Sequence, residues 1–363
     1  MLMGQDIAEQ YAFGRNDSRV LARDFDPSFH NASVAGGTTG LVTKQFPIIR
    51  SLMQSLPDEI VVFMNSDMAS YFKLQKVRQG TTSILTEADR NSQDIKTQVA
   101  SIYRDRDGAT YKAAAHHTIF HEILNSDLPD SEKSFPRLWQ DGQVTVVAGT
   151  LTTASALSCT LYFLLSQPDL LLRLRDELQA AIPDPNHVPP LVTLENLPFL
   201  TACINEGLRL SNGVSSRLQR IDPDKSIVFT DKMKNNGKDY ILPPGTPLSM
   251  TGMLIHLDPK IFSQPLAFNP DRWLQEPGLH RYLVPFGRGT RQCIGINLAY
   301  AEIYITLSMI FRSYGSADVK MDGDRGYLEL FDTQWERDVK IVGDAFVPLN
   351  RKDSKGIRIQ VRQ

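Results

Sequence analysis

The spacing of hydrophobic and polar positions divides the chain into a long helical part followed by a shorter mixed part. In several stretches of the first half, apolar side chains recur every three or four residues, which is the period of an amphipathic helix. This pattern predicts helices near residues 3–14, 44–56, 64–79 and 85–105, and a further helix from about Asp169 to Ala181.

One segment is too apolar for a surface helix. It runs from about Arg137 to Ser166, opens after Pro136 and closes before Pro168. Aliphatic and small residues occur on all sides of it, so we expect a single helix that crosses the core.

The last third of the chain carries short β patterns separated by turn residues. We expect strands between Ile227 and Met250, with a tight turn at residues 243–246, and a second mixed β region from about Leu328 to Val361. The expected fold class is therefore mainly α with small β-sheets.

Composition sets limits on the function. The chain has 363 residues, of which 42% are hydrophobic, and can bury a large core. A net charge of −2 provides no basic field, so nucleic acid is not an expected partner. Cys159, Cys203 and Cys293 lack paired spacings, which indicates a reducing compartment. No stretch approaches about 18 consecutive apolar residues, and the first residues lack a signal-peptide pattern, so neither a transmembrane helix nor a secretion signal is predicted.

The strongest chemical signal is the segment 286–295, which reads FGRGTRQCIG in one-letter code. Gly287, Gly289 and Gly295 allow a tight backbone close to a flat ring, and an apolar helical pattern follows. A helix N-terminus behind Cys293 favours a thiolate. A thiolate ligand to haem iron promotes O–O cleavage, so this arrangement indicates oxygen activation. The alternative is a buried structural cysteine in a glycine turn.

The spacing Phe-x-x-Gly-x-Arg-x-Cys-x-Gly resembles the haem-binding signature of the cytochrome P450 family. The chain matches every fixed position of it, at Phe286, Gly289, Arg291, Cys293 and Gly295. The resemblance implies that Cys293 is the axial ligand of a haem iron and that Phe286 shields its sulfur.

The same resemblance implies a cytochrome P450-like fold in one partial domain over residues 1–363. It places the central oxygen-binding helix at about 137–166 and the haem-ligand loop at 286–295. The opening residues 1–14 look like a segment well inside a fungal family member, so we expect an N-terminally truncated form of the fold. Family members are usually anchored on the cytosolic side of the endoplasmic reticulum, whereas the sequence itself assigns no location.

A second match is Glu206-x-x-Arg209, an acid and a base that share one face of a helix. On an exposed helix, such a pair contributes only a few tenths of a kcal/mol. In the family, these two residues join the arginine of a later segment, here Arg272, in a buried charge network beneath the haem loop.

A third match lies in the apolar central segment. By resemblance, Ala148 and Gly149 make room for bound oxygen, and the Thr152 hydroxyl assists proton delivery. Many members carry an acid where this chain has Leu151, which cannot relay a proton. Either Thr152, Thr153 and ordered water replace the acid, or the enzyme does not need the usual relay. The alternative for this stretch is a core helix with small residues at a helix crossing.

The segment after the Glu-x-x-Arg helix also resembles the family. By resemblance, Arg220 and Arg291 reach the haem propionates, and Arg217 is structural. The preceding residues Val214–Ser216 correspond to a stretch that lines the substrate cavity in relatives.

The predicted function is a haem-thiolate monooxygenase of fungal secondary metabolism that hydroxylates or epoxidises an apolar small molecule. It would use O₂ and electrons from an NADPH-cytochrome P450 reductase. Two alternatives remain open: a haem-thiolate isomerase or dehydratase that needs no O₂, favoured by Leu151, and a non-catalytic truncated remnant.

Overall fold

A computed structural model describes residues 2–14, 18–21, 96–97, 99–104, 117–231 and 237–363, with single positions at 46, 48 and 55. The helices predicted at 44–56 and 64–79 lie outside the described residues apart from those single positions. Of the helix predicted at 85–105, residues 96–97 and 99–104 are described, and they are helical.

Helices account for most of the described chain, and their positions follow the hydrophobic pattern closely. They are α1 (Leu2–Phe13), α2 (Ile119–Asn125), α3 (Phe135–Leu165), α4 (Pro168–Ala181), α5 (Leu191–Glu195), α6 (Pro198–Ser211), α7 (Gly252–His256), α8 (Asp271–Gln275) and α9 (Ile296–Ser313). Short 3₁₀ turns lie at Arg19–Leu21, Pro277–Tyr282 and Gly289–Arg291, and a π-helical turn lies at Trp335–Val339.

The central helix α3 begins earlier than predicted. Ser134 is its N-cap, and Pro136 lies inside the first turn. Proline is tolerated there because the first helical N–H groups have no intrahelical partner. The helix contacts α1, α6 and α9, so it lies in the middle of the fold as expected.

The sequence predicts no transmembrane helix, although one described helix could cross a membrane by length and composition alone. Among the described residues, α3 is long and apolar enough for a span, and 39% of its most apolar window is buried. Glycine, threonine and serine interrupt a strictly apolar run without making the whole helix polar. A core helix has the same length and composition, and α3 packs against α1, α4, α6 and α9.

The four small sheets all lie after residue 217. Most of their strands fall in the two predicted β regions, whereas Leu218–Arg220 and Gly315–Ser316 lie outside them. Antiparallel pairs form between β1 (Leu218–Arg220) and β4 (Leu248–Met250), between β2 (Ile227–Asp231) and β3 (Lys238–Leu242), and between β7 (Gly343–Ala345) and β8 (Val347–Leu349). A three-stranded sheet joins β5 (Gly315–Ser316), β6 (Tyr327–Leu330) and β9 (Ile359–Arg362), with β5 parallel to β6.

Of the described helices, α6 has the largest share of buried residues, because every residue in it except Pro198 and Thr201 is buried. Its packing against α3 depends on Gly207, where an added Cβ would lie 1.8 Å from Thr160 Oγ1. The main core surrounds this crossing, and its fully buried members include Leu164, Leu171, Leu174, Leu178, Leu194, Leu200, Cys203, Ile204, Leu307 and Phe311.

Candidate functional site

The segment 286–295 forms a compact loop ahead of α9. Gly287 and Gly289 have φ angles of +67° and +76°, which glycine adopts without strain. The backbone N–H of Cys293 donates to the Phe286 carbonyl oxygen at 2.8 Å and closes the loop. The apolar pattern of the following helix starts at Ile294. The helix itself begins two residues later, at Ile296, because Gly295 is the N-cap of α9.

The three cysteines differ sharply in environment. Cys159 on α3 and Cys203 on α6 are buried, whereas Cys293 is exposed and free. Burial raises the pKa of the Cys159 thiol to about 12, and burial also raises the pKa of Cys203 above its usual range. Cys293 is therefore not a buried structural cysteine, and its sulfur is open to a ligand.

The structure brings Glu206, Arg209 and Arg272 together. Arg209 makes two hydrogen bonds to the Glu206 carboxylate, at 2.8 and 2.9 Å, and Arg272 Nε lies 3.1 Å from Glu206 Oε1. The side chains of Glu206 and Arg209 are completely buried, and that of Arg272 is 5% exposed. The surface-pair alternative is therefore excluded.

Further hydrogen bonds stabilise this buried network, in which Arg272 Nη2 alone of the guanidinium nitrogens has no hydrogen-bond partner among the described residues. The Trp273 indole N–H and the Asn269 backbone N–H both donate to the Glu206 carboxylate, at 2.9 and 3.0 Å. Arg209 also donates to the carbonyl oxygens of His256, Pro265 and Ala267. Because burial of a charge is costly unless it is paired and hydrogen-bonded, this density of partners explains how α6 carries both charges into the core.

On α3, Ala148 and Thr152 share one face. The Thr152 hydroxyl donates to the Ala148 carbonyl oxygen at 2.8 Å, and Ala148 is exposed although α3 is central to the fold. Val144 and Val147 on the same side of the helix are also exposed. An open apolar face of this kind suits a flat apolar group.

Gly149, predicted to help make room for bound oxygen, is half-buried, and that role stays a prediction. It lies against α1, and an added Cβ would be 3.2 Å from Ala8 Cβ. Gly149 therefore allows close packing of α1 on α3.

Thr152 contacts the turn that follows α6. An added Cβ on Gly213 would lie 3.6 Å from Thr152 Cβ, so this backbone passes directly beside the threonine. The next residues only partly match the predicted cavity lining. Val214 is half-buried, whereas the hydroxyls of Ser215 and Ser216 are buried and donate to Asp344 at 2.7 and 2.8 Å.

Sequence reasoning missed two residues of the hairpin that β7 and β8 form. Asp344 lies on β7, and Phe346 lies in the tight turn. The Phe346 N–H donates to Asp344 Oδ1 at 2.9 Å, and Phe346 has a φ of +75° and an exposed ring. The Ser215 N–H donates to the Phe346 carbonyl oxygen at 3.0 Å. The hairpin is thereby fixed to the turn beside Thr152.

The two predicted propionate ligands are both exposed. Arg291 ends the 3₁₀ turn within the loop, two residues before Cys293. Arg220 lies on β1, paired with Leu248 of β4, and its guanidinium donates to the Gln219 carbonyl oxygen at 2.9 Å. Both guanidinium groups remain accessible to an anion. Arg217, predicted to be structural, is exposed as well.

The loop offers one exposed thiol as a metal ligand, which suits an iron whose other ligands come from a cofactor. The described residues contain no cluster of three or more His, Cys, Asp or Glu side chains that could hold a bare metal ion. The exposed thiol in a glycine-framed loop fits a haem, whose porphyrin would supply the iron ligands that the protein does not. No atom lies within 4 Å of an added Cβ on Gly289, so the loop surface is open there. Fold and site together define the haem-thiolate class.

Comparison with known proteins agrees with this class. The Cytochrome P450 family model matches residues 49–324, which include the central helix, the buried Glu–Arg network and the cysteine loop. The chain therefore belongs to the cytochrome P450 family, and the predicted family and mainly α fold class are confirmed.

Several fungal proteins are similar over nearly the whole chain. The "Cytochrome P450 monooxygenase tpcC" of Cochliobolus heterostrophus is 47% identical over 98% of this chain and 64% of its own length. The "Cytochrome P450 monooxygenase astB" of Talaromyces wortmannii is 39% identical over 99% of this chain and 64% of its own length. The "Tryptophan 6-hydroxylase fscE" of Fusarium equiseti is 34% identical, again over 99% of this chain and 63% of its own length. The chain thus spans a little under two thirds of the relatives that it matches.

Proposed function

We propose that the chain acts as a haem-thiolate monooxygenase that inserts one oxygen atom from O₂ into an apolar small molecule of fungal secondary metabolism. Electrons would come from a separate NADPH-dependent reductase. The observation that carries the proposal is the exposed, free Cys293 in a loop closed by its own hydrogen bond to Phe286. Relatives named as monooxygenases, and one named as a tryptophan hydroxylase, support the reaction class.

The loop residues would hold the haem. Cys293 would hold the iron through its sulfur, and Arg291 and Arg220 would pair with the propionates because an arginine fork matches a carboxylate. A bound haem with a thiolate ligand supplies the oxygen-activating chemistry. The Phe286 ring packs against Tyr300 of α9 with ring centroids 5.2 Å apart. It would keep water from the back of the sulfur and so favour the ligated thiolate.

On the opposite side, Thr152 would hold and deliver protons. Its hydroxyl has one donor and two lone pairs, so it can accept from a water while it donates to the Ala148 carbonyl oxygen, or release that bond and donate outward. The small side chain of Ala148 leaves room above this hydroxyl. Leu151 is half-buried and carries no proton, so ordered water would have to supply Thr152.

Leu151 also favours a second candidate, a haem-thiolate isomerase or dehydratase. Such an enzyme needs neither O₂ nor protons delivered by an acid at this position. Reductase-dependent NADPH consumption with oxygen uptake distinguishes the two, because only the monooxygenase requires both.

The primary test is the carbon monoxide difference spectrum of the chain after reduction with dithionite. We expect a thiolate-type band, lost in Cys293→Ser and retained in the matched variants Cys159→Ser and Cys203→Ser. Absence of haem uptake by the unaltered chain would favour the alternative that the chain is a non-catalytic truncated remnant. Retention of the band in Cys293→Ser would overturn the ligand assignment.

A further inference from the structure

His256 joins the end of α6 to the beginning of the cysteine loop. It is the last residue of α7 and is 1% exposed. Its Nδ1 lies 3.1 Å from Asn212 Oδ1, and its Nε2 accepts a hydrogen bond from the Val284 backbone N–H at 3.0 Å. Its own carbonyl oxygen accepts from Arg209 Nη1 at 2.7 Å.

These partners determine the tautomer of the ring. A backbone N–H can only donate, so Nε2 must carry a lone pair, and the single ring proton must be on Nδ1. The Asn212 amide is oriented to receive it, because its Nδ2 donates to the Leu210 carbonyl oxygen at 3.1 Å and its Oδ1 therefore faces the ring. The ring is neutral and has one hydrogen bond on each nitrogen.

Val284 is the residue from which the cysteine loop departs. The Val284 carbonyl oxygen accepts from the Gly287 N–H at 3.1 Å, and two residues later the Phe286 carbonyl oxygen accepts from Cys293. On the other side of the ring, Asn212 caps α6 in the left-handed conformation and leads to Gly213 beside Thr152. One imidazole therefore connects the turn beside Thr152 with the base of the cysteine loop.

We infer that His256 is a positioning residue for Cys293. The Nε2 lone pair fixes the Val284 peptide, and the Nδ1–H group anchors the ring to Asn212 at the end of α6. Arg209 holds the backbone carbonyl of His256 itself. The cysteine loop is thereby held at a set position relative to the buried Glu–Arg network. The effect of His256 on haem ligation rests on the proposed function, whereas its role in fixing the position of the cysteine loop does not.

Two substitutions with amide side chains test the two hydrogen bonds of the His256 ring separately. A glutamine side chain places its oxygen as far from the backbone as Nε2, so His256→Gln keeps an acceptor for Val284. An asparagine side chain reaches only as far as Nδ1, so His256→Asn keeps a donor for Asn212 and loses the bond to Val284. The pair has nearly equal polarity, which makes each variant the control for the other.

The first measurement is amide hydrogen exchange over residues 283–293 in the haem-free protein. We expect about tenfold faster exchange in His256→Asn, the effect of losing one buried hydrogen bond, and a rate within about twofold of the parent in His256→Gln. Equal exchange in the parent and His256→Asn, or equally fast exchange in both variants, would overturn the inference.

The second measurement does not depend on any variant folding. Nitrogen-15 shifts of the imidazole in the unaltered chain distinguish the two tautomers. We expect the proton on Nδ1, and a proton on Nε2 or a charged ring at neutral pH would overturn the assignment.

The third measurement is the carbon monoxide difference spectrum after haem loading. We expect His256→Asn to lose most of the thiolate-type band and His256→Gln to keep it. If the parent itself forms no such band while the exchange results hold, the proposed function fails and the positioning role of His256 stands. If the parent forms the band and His256→Asn exchanges like the parent, the positioning role fails alone.

Discussion

The Arg272 guanidinium lies 3.1 Å from Glu206 Oε1, although 66 positions separate the two residues in the chain. Arg209 occupies the other side of the same carboxylate. The single Glu206 carboxylate pairs with both arginines, and the surrounding hydrogen bonds support all three side chains, so they form one unit.

Glu206→Ala, Arg209→Ala and Arg272→Ala should each lower the free energy of unfolding by about 3–5 kcal/mol, because each removes one charge from a buried ion-pair network. Double variants should be little worse than the worst single one. Urea unfolding measures the loss, and haem content follows it. The matched control is Arg351→Ala, which breaks the exposed pair with Asp353 and should leave the free energy of unfolding close to that of the parent. Fully stable single variants would show that the network contributes nothing.

The contact between Ser216 and Asp344 leads to a second prediction. Asp344→Ala removes the acceptor for two buried hydroxyls and for the Phe346 N–H, so it should cost about 2–3 kcal/mol. Asp344→Asn keeps one oxygen acceptor and should cost about 1 kcal/mol. Thermal unfolding compares both with Asp322→Ala at an exposed position, which we expect to be neutral. Equal losses in the alanine and asparagine variants would show that the hydroxyl contacts are not what stabilises the hairpin.

A third prediction concerns Glu302 on α9. Burial raises its pKa from 4.5 to about 7, and its Oε2 has no hydrogen-bond partner among the described residues. A carboxyl whose pKa is higher in the folded state lowers stability as pH rises from about 4.5 through 7, because folding then requires the neutral form. Glu302→Gln should therefore be about 2–3 kcal/mol more stable than the parent at pH 8 and nearly equal to it at pH 5.

Urea unfolding across this pH range tests the slope. Glu276→Gln, at an exposed position, serves as the control and should follow the parent curve at every pH. A constant difference between Glu302→Gln and the parent from pH 5 to pH 8 would contradict a buried, titrating carboxyl.

Much of the fold followed from periodicity, because α3, α4 and α9 bury continuous apolar faces that a 3.6-residue period reveals. Cys293 was recognisable because its glycines and arginine lie within ten residues of it. Asp344 was not, since its partner Ser216 is 128 positions away and an aspartate in a three-residue strand has no local signature. Helical geometry places Gly149 next to both Ala148 and Thr152 on α3, and only the contact with Ala8 shows that α1 packs against it.

The last prediction concerns Thr152 and its neighbour Leu151. If Thr152 and water deliver protons without an acidic neighbour, Thr152→Ala should still consume NADPH with reductase and O₂ but release most of the reduced oxygen as hydrogen peroxide. The reason is that the alanine side chain can neither donate nor accept a proton at this position. Leu151→Ala removes no proton carrier and should leave the ratio of product to NADPH within about twofold of the parent, since a proton-transfer group is typically worth 10²–10⁴-fold. Thr152→Ser, which keeps the hydroxyl, should restore coupling. Tight coupling in Thr152→Ala would remove the proton-delivery role, and uncoupling in Thr152→Ser as severe as in the alanine variant would assign the threonine a packing role against Gly213 instead.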